Sequence, residues 1–285
     1  MAVFDGDIFQ KERELGFMSR YLAQISLPHS KLNTHYFERT TGLMTLSILS
    51  NPKIGCPYGT YPRLLLAWLC TEAVKTQSPI LYLGVNQTEF LKKLALRNSG
   101  SYIQPLREQT NRLLSSVFRI DFKDKNISGF KNILLADSGF ELWIPQKKEW
   151  ESCIKLNKDF FDSIVQHPVP LDLTILHCLR KSPMTMDVYV WLIYRAYSIL
   201  VSRNRAVKIS WADLQLQFGA NYGGEVENEH LTADQLLKKR QKGLYNFKQS
   251  FVESLSKIKQ YYPNLDSVVS ANSRFLIITG ARLIK

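Results

Sequence analysis

Apolar positions fall into two periods along this chain, and the elements change where the period changes. Leu65, Trp68 and Leu69 stand at i, i+3 and i+4, which predicts a helix from Pro62 to Lys75. Ile80 to Val85 reads as a short strand. Asn86, followed three residues later by Glu89, forms a capping pair that opens a helix through Leu96. A third helix, from about Tyr102 to Val117, gathers Ile103, Leu106, Leu113, Leu114 and Val117 on one face. Two strand-like runs follow, Phe118 to Phe122 and Ile133 to Ile144, around a loop that holds Lys123, Lys125 and Gly129.

The same order then recurs. Pro183 to Ser202 is apolar on nearly every side, which predicts a helix at the buried centre of its domain. Val207 to Ile209 is a strand, and Ser210 with Asp213 makes a second capping pair for a helix that stops near Gly219. A longer helix ends at Tyr262, with Leu244, Phe247, Phe251, Leu255 and Ile258 as its apolar stripe. Ser267 to Ile284 reads as a hairpin turning at Ala271–Ser273. The correspondence is positional: Leu83, Val85, Asn86, Glu89, Phe90 and Leu94 are echoed 124 residues later by Val207, Ile209, Ser210, Asp213, Leu214 and Phe218. Trp68 has its counterpart in Trp191. The insertion Ala220 to Thr232, with Gly223 and Gly224 among several acids, has no counterpart and predicts a mobile loop.

Helix, strand, helix, helix and hairpin is the order of a winged helix, whose third helix can enter a major groove beside its hairpin. The expected fold class is mainly α with small β-hairpins (α+β), as tandem winged-helix domains related by internal duplication. The bland alternative is that two amphipathic helical hairpins recur by chance. The expected boundaries are residues 1–35, 36–155 and 156–285. The first is an N-terminal helical arm, with Phe9, Leu15, Phe17, Met18, Tyr21, Leu22 and Ile25 on an amphipathic helix before a polar connector. The other two are the winged-helix domains, linked near Leu156 to Pro170. Ahead of the first repeat lie a strand-like stretch, Phe37 to Leu49, and a turn-rich segment with Pro52, Gly55, Pro57, Gly59 and Pro62.

Composition narrows the partners. A chain of 285 residues, 45% hydrophobic, can bury a core and fits about two domains. Its net charge of +12 favours a nucleic acid, an anionic membrane surface or an acidic protein. Cys56, Cys70, Cys153 and Cys178 are widely spaced with no CxxC, which fits reduced thiols in a cytoplasmic protein. Charges throughout the N-terminus exclude a secretory signal there, and no apolar run approaches the ~18 residues of a membrane span. Catalytic motifs are missing as well. There is no GxxxxGK[ST], no GxSxG, and the five histidines are isolated. His177 beside Cys178 fits a structural pair on an apolar helix better than a metal site. The expectation is a protein without catalytic residues, metal or cofactor.

Binding chemistry is what remains. The face of the first third helix turned from its apolar stripe carries Gln104, Arg107, Asn111 and Arg112, with Tyr102 at its start. The second carries Lys238, Lys239, Arg240 and Lys242, then Tyr245, Asn246, Lys248 and Gln249. Lys123 and Lys125 in one hairpin loop and Arg274 in the other complete the candidate DNA-binding set. Lys and Arg neutralise phosphates and release counterions. Asn, Gln and Arg can pair with base edges. For any single charge a solvated helix face is the simpler reading; the run Lys238–Lys242 is a stronger signal because it precedes the predicted recognition helix.

Several segments carry a family resemblance. PYGTYPRLLLAWLCTEAVKTQS (Pro57 to Ser78) resembles the signature of plasmid-encoded RepA-type replication initiator proteins. In the same order follow LREQTNRL (Leu106 to Leu113), HPVPLDL (His167 to Leu173), MDVYVWLIYR (Met186 to Arg195), ISWADLQLQFGANY (Ile209 to Tyr222) and YYP (Tyr261 to Pro263). The resemblance implies a plasmid replication initiator in the bacterial cytoplasm that binds repeated origin sites in double-stranded DNA. It also implies local opening of the duplex and recruitment of host proteins such as the host initiator and replicative helicase, with monomers acting at the repeats and a possible homodimer as the inactive form. Tandem winged-helix domains are what related initiators use. It identifies no base-reading residue. Other readings are a winged-helix transcriptional repressor, a nickase or primase-like enzyme, and a module whose winged helices bind proteins.

Overall fold

The computed structural model describes residues 13–42, 44–123, 128–138, 153–203, 206–219 and 232–284. Three strands come first: β1 (Leu15–Ser19), β2 (Tyr36–Thr41) and β3 (Met44–Leu49). The stretch expected as the first repeat follows as α1 (Thr60–Thr76), β4 (Ile80–Tyr82), α2 (Gln87–Lys93) and α3 (Gly100–Leu114). Next are β5 (Val117–Lys123), β6 (Ser128–Leu134), β7 (Ala136–Ser138), β8 (Cys153–Leu156), α4 (Lys158–Gln166), β9 (Pro168–Asp172) and α5 (Leu173–Cys178). The stretch expected as the second repeat forms α6 (Pro183–Val201), β10 (Ala206–Ser210), α7 (Trp211–Phe218) and α8 (Ala233–Lys259). A 3-10 turn at Pro263–Ser267 leads into β11 (Val269–Ala271) and β12 (Phe275–Thr279). The result is a mixed α and β structure whose antiparallel sheets are all small.

The repeated capping pairs form as their spacing requires. The Asn86 carboxamide oxygen accepts from the Glu89 backbone N–H at 3.0 Å, and Ser210 Oγ accepts from that of Asp213 at 3.1 Å. Glu89 reaches the N–H of Val85, one residue short of the reciprocal capping-box contact. Above each cap sits a similar aromatic pair. Trp68 meets Phe90 edge-on at 5.1 Å between ring centroids, and Trp191 meets Phe218 edge-on at 5.2 Å. The two three-stranded sheets share one order as well, with the last strand of each in the middle: β4-β8-β7 and β10-β12-β11. As expected, α6 is buried along most of its length, Val188, Tyr189, Trp191, Leu192 and Ala196 being almost wholly enclosed.

Several expectations are corrected. Residues 13–35 form β1 and turns in place of the amphipathic helix expected there; residues 1–12 lie outside the described residues. Tertiary pairing overrides the helical period. β1 runs antiparallel to β9, and the Phe17 N–H donates to Thr71 Oγ1 of α1 at 2.9 Å. Gly16 permits this approach, since a Cβ there would stand 2.4 Å from the Leu173 side chain. Phe37 to Leu49 is a hairpin, β2–β3, not one stretch. β5 and β6 pair with each other but belong to a four-stranded sheet, β2-β3-β5-β6, so they are not the hairpin of the first repeat. β7 and β8 form a separate antiparallel pair, and 139–152 between them, including the end of the expected Ile133–Ile144 strand, lie outside the described residues. Residues 220–231 of the expected mobile loop and Lys125 also lie outside them. The stretch expected as a linker holds α4, which packs on α1 and β9.

The halves of the chain meet over several elements. α7 of the second repeat packs on β2, α1 touches α6, and Arg180 Nη1 donates to the Ala95 carbonyl at 2.8 Å. The Arg63 guanidinium at the start of α1 closes on the Asp187 carboxylate at the start of α6, with Nε and Nη2 at 2.7 and 2.6 Å.

Candidate nucleic-acid interface

α8 is the most prominent basic element. Thr232 and Gln235 make a reciprocal capping box at its start: Oγ1 accepts from the Gln235 N–H and Oε1 from the Thr232 N–H. The box satisfies two of the donors left open at the helix start. Its buried residues begin only at Gly243 and continue as Phe247, Phe251, Ser254, Leu255 and Ile258. None of Ala233–Lys242 is buried, so about 15 Å of helix stands clear of the core at 1.5 Å per residue. This start holds exposed Lys238, Arg240 and Lys242 and half-buried Lys239. Lys238 is paired with Asp234 at 2.7 Å; the other three make no ion pair among the described residues.

The root of this projection is anchored by aromatics. Phe251 lies 5.7 to 6.1 Å from Trp191, Trp211, Phe218 and Phe247 between centroids. Beside α8, the Asn272 carboxamide oxygen accepts from the N–H groups of Arg274 and Phe275, which shapes the β11–β12 turn. The Asn272 carbonyl accepts from Trp211 Nε1 and Lys248 Nζ, each at 3.0 Å. Lys248 therefore ties the hairpin turn to α8, its ammonium also 5.2 Å over the Trp211 ring. Tyr245, Asn246 and Gln249 on α8 and Arg274 in the turn are exposed.

The corresponding helix of the first repeat presents less charge. On α3, Gln104 and Asn111 are exposed, while Tyr102 and Arg107 are half-buried. Arg112 is committed internally: its guanidinium donates to Glu108 at 2.9 Å and to the Cys56 carbonyl at 3.3 Å, over the Tyr58 ring. Lys123, at the end of β5, is exposed. The structure thus brings Lys238, Lys239, Arg240, Lys242, Tyr245, Asn246, Gln249 and Arg274 onto α8 and its adjoining turn. Lys123 lies on a different sheet. Trp68, Trp191, Trp211, Phe247 and Phe251 are buried, in keeping with their core-like spacing.

One group was missed by sequence reasoning. Arg63, 4% exposed, also donates to the carbonyls of Leu27, Pro28 and Gly59, so it is fully paired. His29 Nε2 lies 3.2 Å from Asp187 Oδ2, the oxygen that Arg63 Nη2 also reaches. Burial would raise the Asp187 carboxyl, but Arg63 and His29 outweigh it and hold it below the ordinary range. His29 is pushed down, chiefly by its own burial. The signal was in the spacing: Arg63 and Asp187 are opposite charges 124 residues apart, the interval of the repeat itself. Elsewhere, Cys178 hydrogen-bonds Tyr261, whose hydroxyl is pushed up to about 12 by burial and that contact. Among the described residues, no group of three or more His, Cys, Asp or Glu could hold a metal ion, and no helix is long and apolar enough to cross a membrane.

The family model for plasmid-encoded RepA proteins matches residues 56–213, more than half of the chain. The chain belongs to that family. The RepA match runs from the turn before α1 into the first turn of α7, so it takes in α3 and stops short of α8. Solved structures with a similar course include a selenomethionine derivative of domains 2 and 3 of RctB, at 12% identity and a TM-score of 0.46, over 78% of this chain and 81% of that one. A second structure of RctB domains 2–3 matches at 11% identity and a TM-score of 0.44, over 91% and 96%. No curated protein sequence matches.

Proposed function

We propose that this plasmid replication protein is an initiator that binds repeated origin sites in double-stranded DNA through two winged-helix units. The observation that carries the reading is the start of α8, where Lys239, Arg240 and Lys242 make no ion pair among the described residues, beside a hairpin turn pinned by Lys248 and Trp211. A helix standing clear of the core beside a short hairpin is what major-groove docking with backbone support requires. The shared sheet order, the two caps and the two Trp–Phe pairs support a duplicated unit. A net charge of +12 supports a polyanionic partner.

In this reading α8 provides most of the phosphate neutralisation, and α3 reads through Gln104 and Asn111 with Arg107 beside them. Bending or unstacking an adjacent segment costs about 1 to 6 kcal/mol, offset by the contacts that the bend permits. Opening the duplex leaves host replication proteins, the host initiator and replicative helicase among them, to load from the bacterial cytoplasm. The protein contributes binding and no bond chemistry of its own.

Footprinting on DNA flanking the gene tests this directly. Protection of spaced repeats, with affinity that falls steeply with salt, is the expected result. Absence of salt-sensitive duplex binding would remove the reading in favour of a protein-binding module. Supplying the gene in trans to an origin-bearing replicon separates initiator from repressor, since a pure repressor does not support copying. A strand-specific nick in supercoiled origin DNA with a divalent metal would overturn the non-catalytic assignment.

A further inference from the structure

We infer that the Arg63–Asp187 ion pair is a positioning device, which sets the one spacing between DNA sub-sites that α3 and α8 can occupy together. The inference rests on the reading that both helices contact duplex DNA. The pair joins equivalent places near the starts of two helices, Arg63 the fourth residue of α1 and Asp187 the fifth of α6. Each of those helices is the buried support of its own repeat, α1 beneath α3 and α6 beneath α8. A rotation at this junction therefore carries one groove-facing helix relative to the other.

The junction is built to resist that rotation. Two parallel hydrogen bonds, at 2.7 and 2.6 Å, fix the guanidinium plane against the carboxylate, which a single contact does not. The remaining donors of Arg63 reach the carbonyls of Leu27, Pro28 and Gly59, and His29 adds a second contact to Asp187 Oδ2. Three chain segments thus meet on one planar group: the stretch after β1, the start of α1 and the start of α6. The site is nearly closed to water, with Arg63 at 4% and Asp187 at 12% side-chain exposure, so solvent and salt screen it little. Lysine, a point charge without a planar fork, would keep the charge and lose the orientation.

Duplex geometry turns a rigid junction into a spacing rule. Each added base pair moves the second sub-site by about 3.4 Å and rotates it by about 35° about the helix axis. A protein whose halves are locked must deform itself or the DNA to follow.

The test compares the natural origin duplex with duplexes carrying one or two base pairs inserted between the footprinted sub-sites. The proteins are wild type and Arg63→Met/Asp187→Leu, which removes both charges and leaves neither buried alone. For wild type, affinity falls about tenfold or more per inserted pair, within the range of a mismatched contact. For the double variant, the natural site is bound within about threefold of wild type and the penalty shrinks to under about threefold. A folded double variant with the wild-type penalty overturns the inference. If that variant does not fold, Arg63→Lys enters the same series, and a tenfold penalty kept there overturns it equally. Spin-label distances between Asn111 and Gln249, both exposed, supply a readout without DNA; they broaden in the variant, and an unchanged narrow distribution counts against the device. Wild type failing to bind any duplex defeats the DNA-binding reading instead, a result distinct from an unaltered penalty.

Discussion

Replacing Lys239, Arg240 and Lys242 with alanine together is the sharpest probe of the interface. None of the three is buried, and none makes an ion pair among the described residues, so the fold should not respond. The helix should strengthen slightly, alanine being the best helix former. If each side chain neutralises one phosphate, the slope of log K against log salt becomes shallower by about 0.9 for each, or about 2.7 in all. Between about 50 and about 200 mM salt, a fourfold change, that difference amounts to about 40-fold in affinity. The gap between wild type and variant is therefore widest at low salt and closes by that factor as salt rises. Fluorescence anisotropy on a labelled origin duplex, titrated across the range, reads both slopes. Circular dichroism and thermal melting check the fold. Parallel salt lines, whatever their vertical offset, would take these side chains out of the phosphate contact and with them the case for α8.

Three further outcomes follow from the packing and the titrating groups. Phe251→Ala, at a fully enclosed site ringed by four aromatics, should cost about 3 to 5 kcal/mol in urea unfolding; a loss below about 1 kcal/mol would mean that the cluster does not anchor α8. His29 is depressed below its ordinary 6.5, so the unfolded chain takes up its proton first, and stability falls as pH drops through 6.5 and onward to the folded value. Asp187, also depressed, adds its loss only below its ordinary 3.8. His29→Asn should flatten the upper window alone, and an unaltered melting profile there would count against this assignment. Of the thiols, exposed Cys153 should react first with a disulfide reagent, whereas Cys70, fully enclosed and pushed up to about 12, should stay silent until the protein unfolds.

What was legible in the sequence was local. The stripe of Phe247, Phe251, Leu255 and Ile258, the caps at Asn86 and Ser210 and the hairpin near Ala271 depend on neighbours a few residues away, and they form as spacing dictates. Strand partners are not local. Phe118 to Phe122 reads as a strand, but nothing in it says that β3 will be its neighbour, and Leu15–Ser19 is too short to betray a partner in β9. The same divide runs through the candidate site. The basic run on α8 is visible in the sequence, but which members are free is not. Lys238 turns to Asp234 one helical turn away, and Lys248 is captured by a turn that reaches it only after β11 and β12 pair. Arg112 looks as available as Arg107 on a helical wheel until Cys56, from the loop before α1, presents its carbonyl.

The ladder between Leu15–Ser19 and Pro168–Asp172 has a consequence for the order in which the molecule assembles. The earlier strand is synthesised long before its partner exists, so closing that pair waits until more than half of the chain has left the ribosome. Contacts so far apart along the chain slow folding, because the loop must close before the pairing can reward it. A nascent or truncated polypeptide ending ahead of Pro168 keeps an unmatched strand on offer to any neighbour. Such fragments should clump in cells unless a chaperone covers that edge.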